Sequence, residues 1–210
     1  MIARLATDPQ AFVDRQSKYP GIGTQSLLAL AVGIAFSLQH VGNYVLLGEE
    51  LQHVNQVIWV QTVVNLLIPF ALWGVVTIGI YFIARFFEGY FPPELLFRLT
   101  GWGLAPLIGA GLVQSAGLLY ALRDATPPAE PSFSAFEFQQ ASYNAYTDAA
   151  LSEPAFLVGT VLAIPFVLYS GYLWALVVER ISDVDMREAL YISAVPTLVC
   201  LLWIASPLVL

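Results

Sequence analysis

Five stretches of this chain run without a charged side chain, at residues 25–41, 58–82, 99–122, 155–178 and 189–209. A core helix of a soluble domain shows polar positions every three or four residues, whereas these windows stay apolar around their whole circumference. Each reaches or approaches the ~20 residues that an α-helix needs to cross a bilayer; the first is the shortest. The pattern predicts an all-α, polytopic membrane bundle of five transmembrane helices, forming a single membrane domain over residues 23–210. Ahead of it, residues 1–22 form a separate N-terminal segment with no apolar run long enough for a signal peptide. Asp8-Pro9 reads as an N-cap followed by proline at the first helical position. The short interfacial helix that follows should turn Phe12 and Val13 to the bilayer and Arg15 and Lys18 to headgroups, and Pro20-Gly21 ends it.

Between the third and fourth windows lies a sizeable polar loop, residues 123–154. It opens with the turn-rich ATPPAEPS and continues as SFSAFEFQQASYNAYTDAAL, a helix-compatible run with Phe136, Tyr143 and Tyr146 on roughly one face. A helix lying in the membrane interface is the expectation, with its aromatic rings at headgroup level; a ligand-binding lid is the sharper alternative. In the loop between the fourth and fifth windows, Ser182 or Asp183 can cap the last helix, with Asp185 and Glu188 suited to its first turn.

Composition adds exclusions. Of the 210 residues, 58% are hydrophobic and 11% charged, and the mean hydropathy is +0.73, which leaves no room for a separate soluble catalytic domain. Lysine and arginine total 8 against 15 acidic residues, a net charge of −7, so nucleic acid finds no basic stripe to bind. The acidic, lysine-poor balance suits a halophile-like acidic proteome, where salt screens the repulsion. Cys200, the sole cysteine, reads as a small buried apolar residue.

The basic residues also orient the chain. Arg4, Arg15, Lys18, Arg85, Arg98, Arg180 and Arg187 fall on one side of a five-span topology and Arg123 alone on the other. Basic loops stay in the cytoplasm, so the N-terminus is expected there and the C-terminus outside, in a cell membrane, most simply a prokaryotic plasma membrane. The cytoplasmic residues Arg15, Lys18, Arg85, Arg98, Arg180 and Arg187 would serve headgroups or a protein partner.

Candidate chemistry is sparse. Pro69, Pro106, Pro165 and Pro196 sit within four spans, where each bends its helix. Gly101, Ala105 and Gly109 recur every fourth residue and form a smooth stripe for close helix packing, in the bundle or in a homodimer. Gln61, Asn65 and Gln114 are intramembrane polar residues that either bond between helices or line a path. No Asp, Glu, Lys or Arg falls near the middle of a span, which argues against an ion-driven carrier. His40, Glu49, Glu50 and His53 form a weak candidate metal cluster, without the HExxH spacing of metalloproteases. No catalytic residues, metal or cofactor are expected.

Three segments carry a resemblance. LATDPQAFVDRQ places an aspartate-proline and a phenylalanine just before the first span. FRLTGWGLAPLIGAGL sets glycine and proline at the start of the third. GYLWALVVERISDVDMREALYISAVPTLV joins the fourth span through a short charged loop to an alanine-led, proline-containing fifth. Together these segments resemble the Yip (Ypt-interacting protein) family of five-span membrane proteins. The resemblance implies a non-enzymatic protein of membrane organisation or trafficking that acts through helix packing and partner or lipid contacts. Eukaryotic members of that family are associated with Rab-type GTPases and carry a long cytoplasmic N-terminal region with a DLYGP-like motif. Here about twenty residues precede the first span and YPGIG departs from that motif, so GTPase binding is not carried over and a prokaryotic or archaeal-type member is expected. The alternative class is a small channel or carrier subunit with a polar path between proline-kinked helices.

Overall fold

The computed structural model describes residues 2–18, 21–87, 92–123, 125–126, 135–182 and 184–206, apart from the side chains of 2–4, 46, 47, 49 and 50. All regular structure among these residues is helical: α1 (Ile2–Thr7), α2 (Pro9–Lys18), α3 (Gly23–Leu47), α4 (Asn55–Ala84), α5 (Pro93–Thr100), α6 (Ala105–Ala121), α7 (Phe136–Leu151), α8 (Pro154–Ile181) and α9 (Met186–Ala205), with 3₁₀ turns at Gly48–Val54, Arg85–Phe87 and Gly101–Leu104. Five segments are long and apolar enough to cross a membrane: Gly23–Val45, Leu51–Phe87, Pro93–Ala121, Pro154–Ile181 and Met186–Ala205. An odd number of spans puts the two termini on opposite faces, termed here the N-terminal and C-terminal faces.

The spans pack as a closed ring, α3 against α4, α4 against α9, α9 against α8, α8 against α6 and α6 back against α3. The outer surface is a belt of exposed apolar side chains, among them Leu27, Leu67, Val75, Ile78, Phe82, Leu168, Leu198 and Leu202. In water such a belt would be an aggregation site, whereas in hydrocarbon it is the solvent-matched surface.

What fills the ring on the N-terminal side is the break in the third span. Residues 101–104 turn as a 3₁₀ segment between α5 and α6, and all of them are buried. Pro106 falls in the first turn of α6, where its missing N–H costs nothing. A 3₁₀ turn takes its carbonyls out of the α register, and indole N–H groups bond to two carbonyls at the end of α5. Trp73 Nε1 donates to the Phe97 carbonyl at 2.7 Å while its ring stacks on Phe97 at 4.2 Å. Trp174 Nε1 donates to the Thr100 carbonyl at 3.0 Å. The hydroxyls of Thr77 and Thr100 close the cluster at 2.7 Å. The glycines on either side of Trp102 make room for this. A Cβ on Gly103 would collide with the Trp174 indole, and one on Gly101 would come 2.6 Å from Gln25 Cβ and 2.9 Å from the Trp73 ring.

The same 3₁₀ turn breaks up the expected glycine stripe. Four α-helical residues advance about 40° around the axis but four 3₁₀ residues about 120°, so the three positions do not share one face. Gly101 meets α3 and α4, whereas Gly109 meets Phe166 of α8. Gly101 and Gly109 therefore serve as packing positions within the bundle, on different neighbours. The tightest backbone approaches are at Gly33, where a Cβ would lie 2.7 Å from Leu66 Cα, and at the facing pair Gly117 and Gly159. Gly33 also lies against the Asn65 carbonyl, the group that Pro69 deprives of its i→i+4 partner.

Asp8 caps α2, its Oδ1 accepting from Ala11 N at 3.1 Å. The helix does not present Phe12 and Val13 to lipid. Both are buried, with Phe12 edge-on to Trp102 at 4.7 Å, because the indole edge and α8 offer an apolar surface already in place. Asp14 pairs with Arg180 at 3.3 Å, and the Leu5 carbonyl accepts from the Tyr169 hydroxyl at 2.7 Å. Residues 169 and 180 are about 16 Å apart along α8 at 1.5 Å per residue, so the N-terminal helices run along α8 instead of lying flat. Asp185 caps α9, accepting from Glu188 N at 2.8 Å; Asp183 lies outside the described residues.

Gly103→Ala should lower stability by about 1–3 kcal/mol through overpacking against Trp174. Gly74→Ala, at a helix position with open space around it, should be neutral or stabilising because alanine is the better helix former. Thermal unfolding of the two variants in one detergent checks both.

Candidate functional site

On the C-terminal side the ring is not filled. A cavity of about 300 Å³ lies there, lined by Phe36, Gln39 and His40 of α3, Gln61 and Asn65 of α4, Gln114 and Leu118 of α6, Tyr143, Asn144, Thr147 and Leu151 of α7, Phe156 of α8, and Trp203 and Ile204 of α9. The structure thus gathers the intramembrane polar residues Gln61, Asn65 and Gln114 around one space. Sequence spacing pairs only the first two, since the position of Gln114 depends on how α6 packs across the ring. The lining stops at Asn65 and Gln114. Toward the N-terminal face the ring holds Val32, Trp73, Trp102, Leu107, Ala163, Val167 and Trp174, each at most 5% exposed.

A small apolar core and the Tyr143–His40 bond fix the roof. The α7 helix turns Tyr143 and Tyr146 into the bundle, where they pack with Leu51, Val54, Leu118 and Phe156. The expectation of rings at headgroup level is reversed for these two tyrosines, because the 3₁₀ turn at Gly48–Val54 and the end of α6 provide a second, smaller apolar core beneath them. The Tyr143 hydroxyl lies 2.9 Å from His40 Nδ1, and Gln39 Nε2 lies 3.2 Å from His40 Nε2. With the Gln39 amide donating to Nε2, the ring proton sits on Nδ1 and donates to Tyr143. Burial pushes the Tyr143 phenol up to about 12, since a phenolate there would lose its water.

The amides are only partly satisfied. Gln114 Nε2 donates to the Ile204 carbonyl at 3.2 Å and to Thr160 Oγ1 at 3.4 Å. Asn65 Nδ2 reaches the Phe36 carbonyl at 3.4 Å. Ser115 and Ser37 donate across the same seams, to the carbonyls of Ala35 and Thr62.

Among the described residues, the two histidines of the candidate metal set have other surroundings. His40 is engaged by Tyr143 and Gln39, and His53 lies in the 3₁₀ turn with its Nε2 buried. The side chains of Glu49 and Glu50 are outside the described residues, and among those described no group of three His, Cys, Asp or Glu side chains converges. Of the basic residues, Arg15, Lys18, Arg85 and Arg187 are exposed at the N-terminal face. Arg85 and Arg187 fold over Tyr81 and Tyr191, and Arg123 over Tyr120 at the opposite face, at 5.0–5.9 Å from the ring centroids. These arginine–tyrosine pairs mark the two membrane–water interfaces.

The architecture is that of a multi-pass, all-helical membrane protein with five spans. Within that class the Yip1 domain model matches residues 3–206, which is nearly the whole chain, and the protein belongs to the Yip1 family. Neither the curated proteins nor the solved structures compared with it gave a match.

Ionisation of Tyr143 should unlock the roof in alkali. Its folded-state pKa lies above the unfolded value of 10.0, so its contribution to stability is complete below pH 10 and is lost as the pH rises toward 12. Tyr143→Phe should shrink the alkaline fall in melting temperature over that window, and at neutral pH it should lower stability by the lost hydrogen bond, about 1 kcal/mol. Melting curves at stepped pH test this.

Proposed function

We propose that this chain is a non-enzymatic membrane-organising protein of the Yip type, working through its packed bundle and through lipid or protein contacts at its N-terminal face. The observation that carries the reading is the filled N-terminal half of the ring. Trp73, Trp102 and Trp174 close the space below the polar cavity, and no charged side chain lies near the middle of a span. A conducting path or an ion-driven carrier needs a continuous polar route or an intramembrane charge, which weighs against the channel or carrier alternative.

In this reading the N-terminal face is cytoplasmic and the C-terminus lies outside, as the basic-residue bias favours, and the membrane is a prokaryotic plasma membrane, which the acidic, lysine-poor composition fits. Arg180 is paired with Asp14 of α2. The exposed Arg15 and Lys18, together with Arg187 on its Tyr191 ring, are the groups placed to meet headgroups or a partner, and each is worth about 1 kcal/mol near an anionic surface.

Purification from native membranes in mild detergent, with bound proteins and lipids identified by mass spectrometry, tests the proposal. The triple variant Arg15→Gln, Lys18→Gln, Arg187→Gln should lose a reproducible protein or anionic-lipid partner while keeping its melting temperature. Identical recovery from the variant and the parent protein would refute docking at this face.

A further inference from the structure

The cavity on the C-terminal side contains more hydrogen-bonding capacity than the protein uses. Among the described residues the Gln61 amide makes no hydrogen bond, and Gln114 Oε1 and Asn65 Oδ1 accept none, although the amide nitrogens of the last two are engaged. Gln114 is 8% exposed and is among the residues that line the space. Polar groups at this depth require a partner other than lipid tails, and the empty space lies where the partner would sit.

The lining also selects the chemistry of the occupant. It contains no Asp, Glu, Lys or Arg, so neither a phosphate nor an ammonium group would find a counter-charge, and burying either unpaired is costly. Carboxamides instead offer a donor and an acceptor side by side, which complements hydroxyl groups that both donate and accept. Trp203 and Phe36, with ring centroids 5.2 Å apart, supply the apolar wall for the carbon side of such a molecule. A volume of about 300 Å³ is at the small end of the range for organic ligands. We infer that the cavity is a binding site for an uncharged polyhydroxyl group, a sugar or glycerol unit, held by Gln61, Asn65 and Gln114 against Trp203. The same chemistry could arrive as a glycolipid headgroup from the adjoining leaflet or as a free solute. This site lies at the face opposite the docking residues and does not depend on the reading of them.

The full-length protein, purified in a detergent without a sugar headgroup, would be placed in phosphatidylcholine nanodiscs. Tryptophan fluorescence would be followed in one arm as glucosyl-diacylglycerol is added to the bilayer, and in the other as glucose or glycerol is added to the buffer. A saturable change that disappears in Trp203→Phe is expected. Response in the lipid arm alone identifies a headgroup site, and response in the buffer arm identifies a solute site. Gln61→Leu, which removes no internal bond, should weaken binding about tenfold, the equivalent of ~1.4 kcal/mol, without changing the melting temperature. Gln114→Leu should weaken it too, though loss of its bond to Ile204 can disturb packing, so Gln61→Leu decides. No saturable response in either arm would leave a merely hydrated cavity and overturn the inference. An equal response to phosphatidylserine, whose headgroup has no hydroxyl, or undiminished binding by Gln61→Leu, would also overturn it.

Discussion

The fold depends on how one interrupted helix satisfies its backbone in a solvent that offers no hydrogen bonds. The third span changes from α to 3₁₀ geometry at Gly101–Leu104, in the filled interior of the ring. A carbonyl left without an acceptor role in hydrocarbon costs several kcal/mol. The indoles of Trp73 and Trp174 reach in from α4 and α8 to the carbonyls of Phe97 and Thr100, so two neighbouring helices are held at the break by directional bonds as well as by contact. Gly101 and Gly103 are needed for that reach, since side chains there would occupy the space of Trp73 and Trp174. Trp102 between them points to the other side and receives Phe12 of α2, which extends the same cluster to the N-terminal helices.

That cluster also explains the asymmetry of the bundle. Five helices arranged in a ring leave a central space, and the broken third span fills only the half nearest the N-terminal face. In the other half α6 runs as a regular helix within the ring, and the centre is left to amides, with α7 as the roof. The roof is held by a local apolar core and by the Tyr143–His40 bond, not by a second set of large aromatic plugs. A dry half and a polar half therefore coexist in one bundle. The dry half supports reading the protein as a packed membrane organiser, and the polar half provides the chemistry for a ligand.

Much of this was legible beforehand because a bilayer imposes strong constraints. Length and apolarity of the windows gave the five spans, since a helix is the segment that satisfies its own backbone in lipid. Asp8-Pro9 gave the start of α2, and the segments around FRLTGWGLAP and ERISDVDMREAL gave the family. The glycine stripe shows where such reading stops. Its spacing assumed 3.6 residues per turn throughout, and the 3₁₀ turn rotated Gly101 away from Gly109. Its glycines pack inside the chain, Gly101 against α3 and α4 and Gly109 against α8. Phe12, Val13, Tyr143 and Tyr146 looked like interface residues for a similar reason: amphipathic periodicity reports that a face is apolar, not whether lipid or protein covers it.

The sequence by itself determined the solvent, the number of crossings, the uncharged interior and the family, because each follows from residue types counted along one dimension. Only the tertiary structure decided which face each helix shows its neighbour. It set Trp73 and Trp174 on the carbonyls of α5, and it brought Gln61, Asn65 and Gln114 around one space although they come from two spans nearly fifty residues apart. Packing fixes the rotation of each helix about its own axis, and a composition apolar on every side contains almost no signal for that angle.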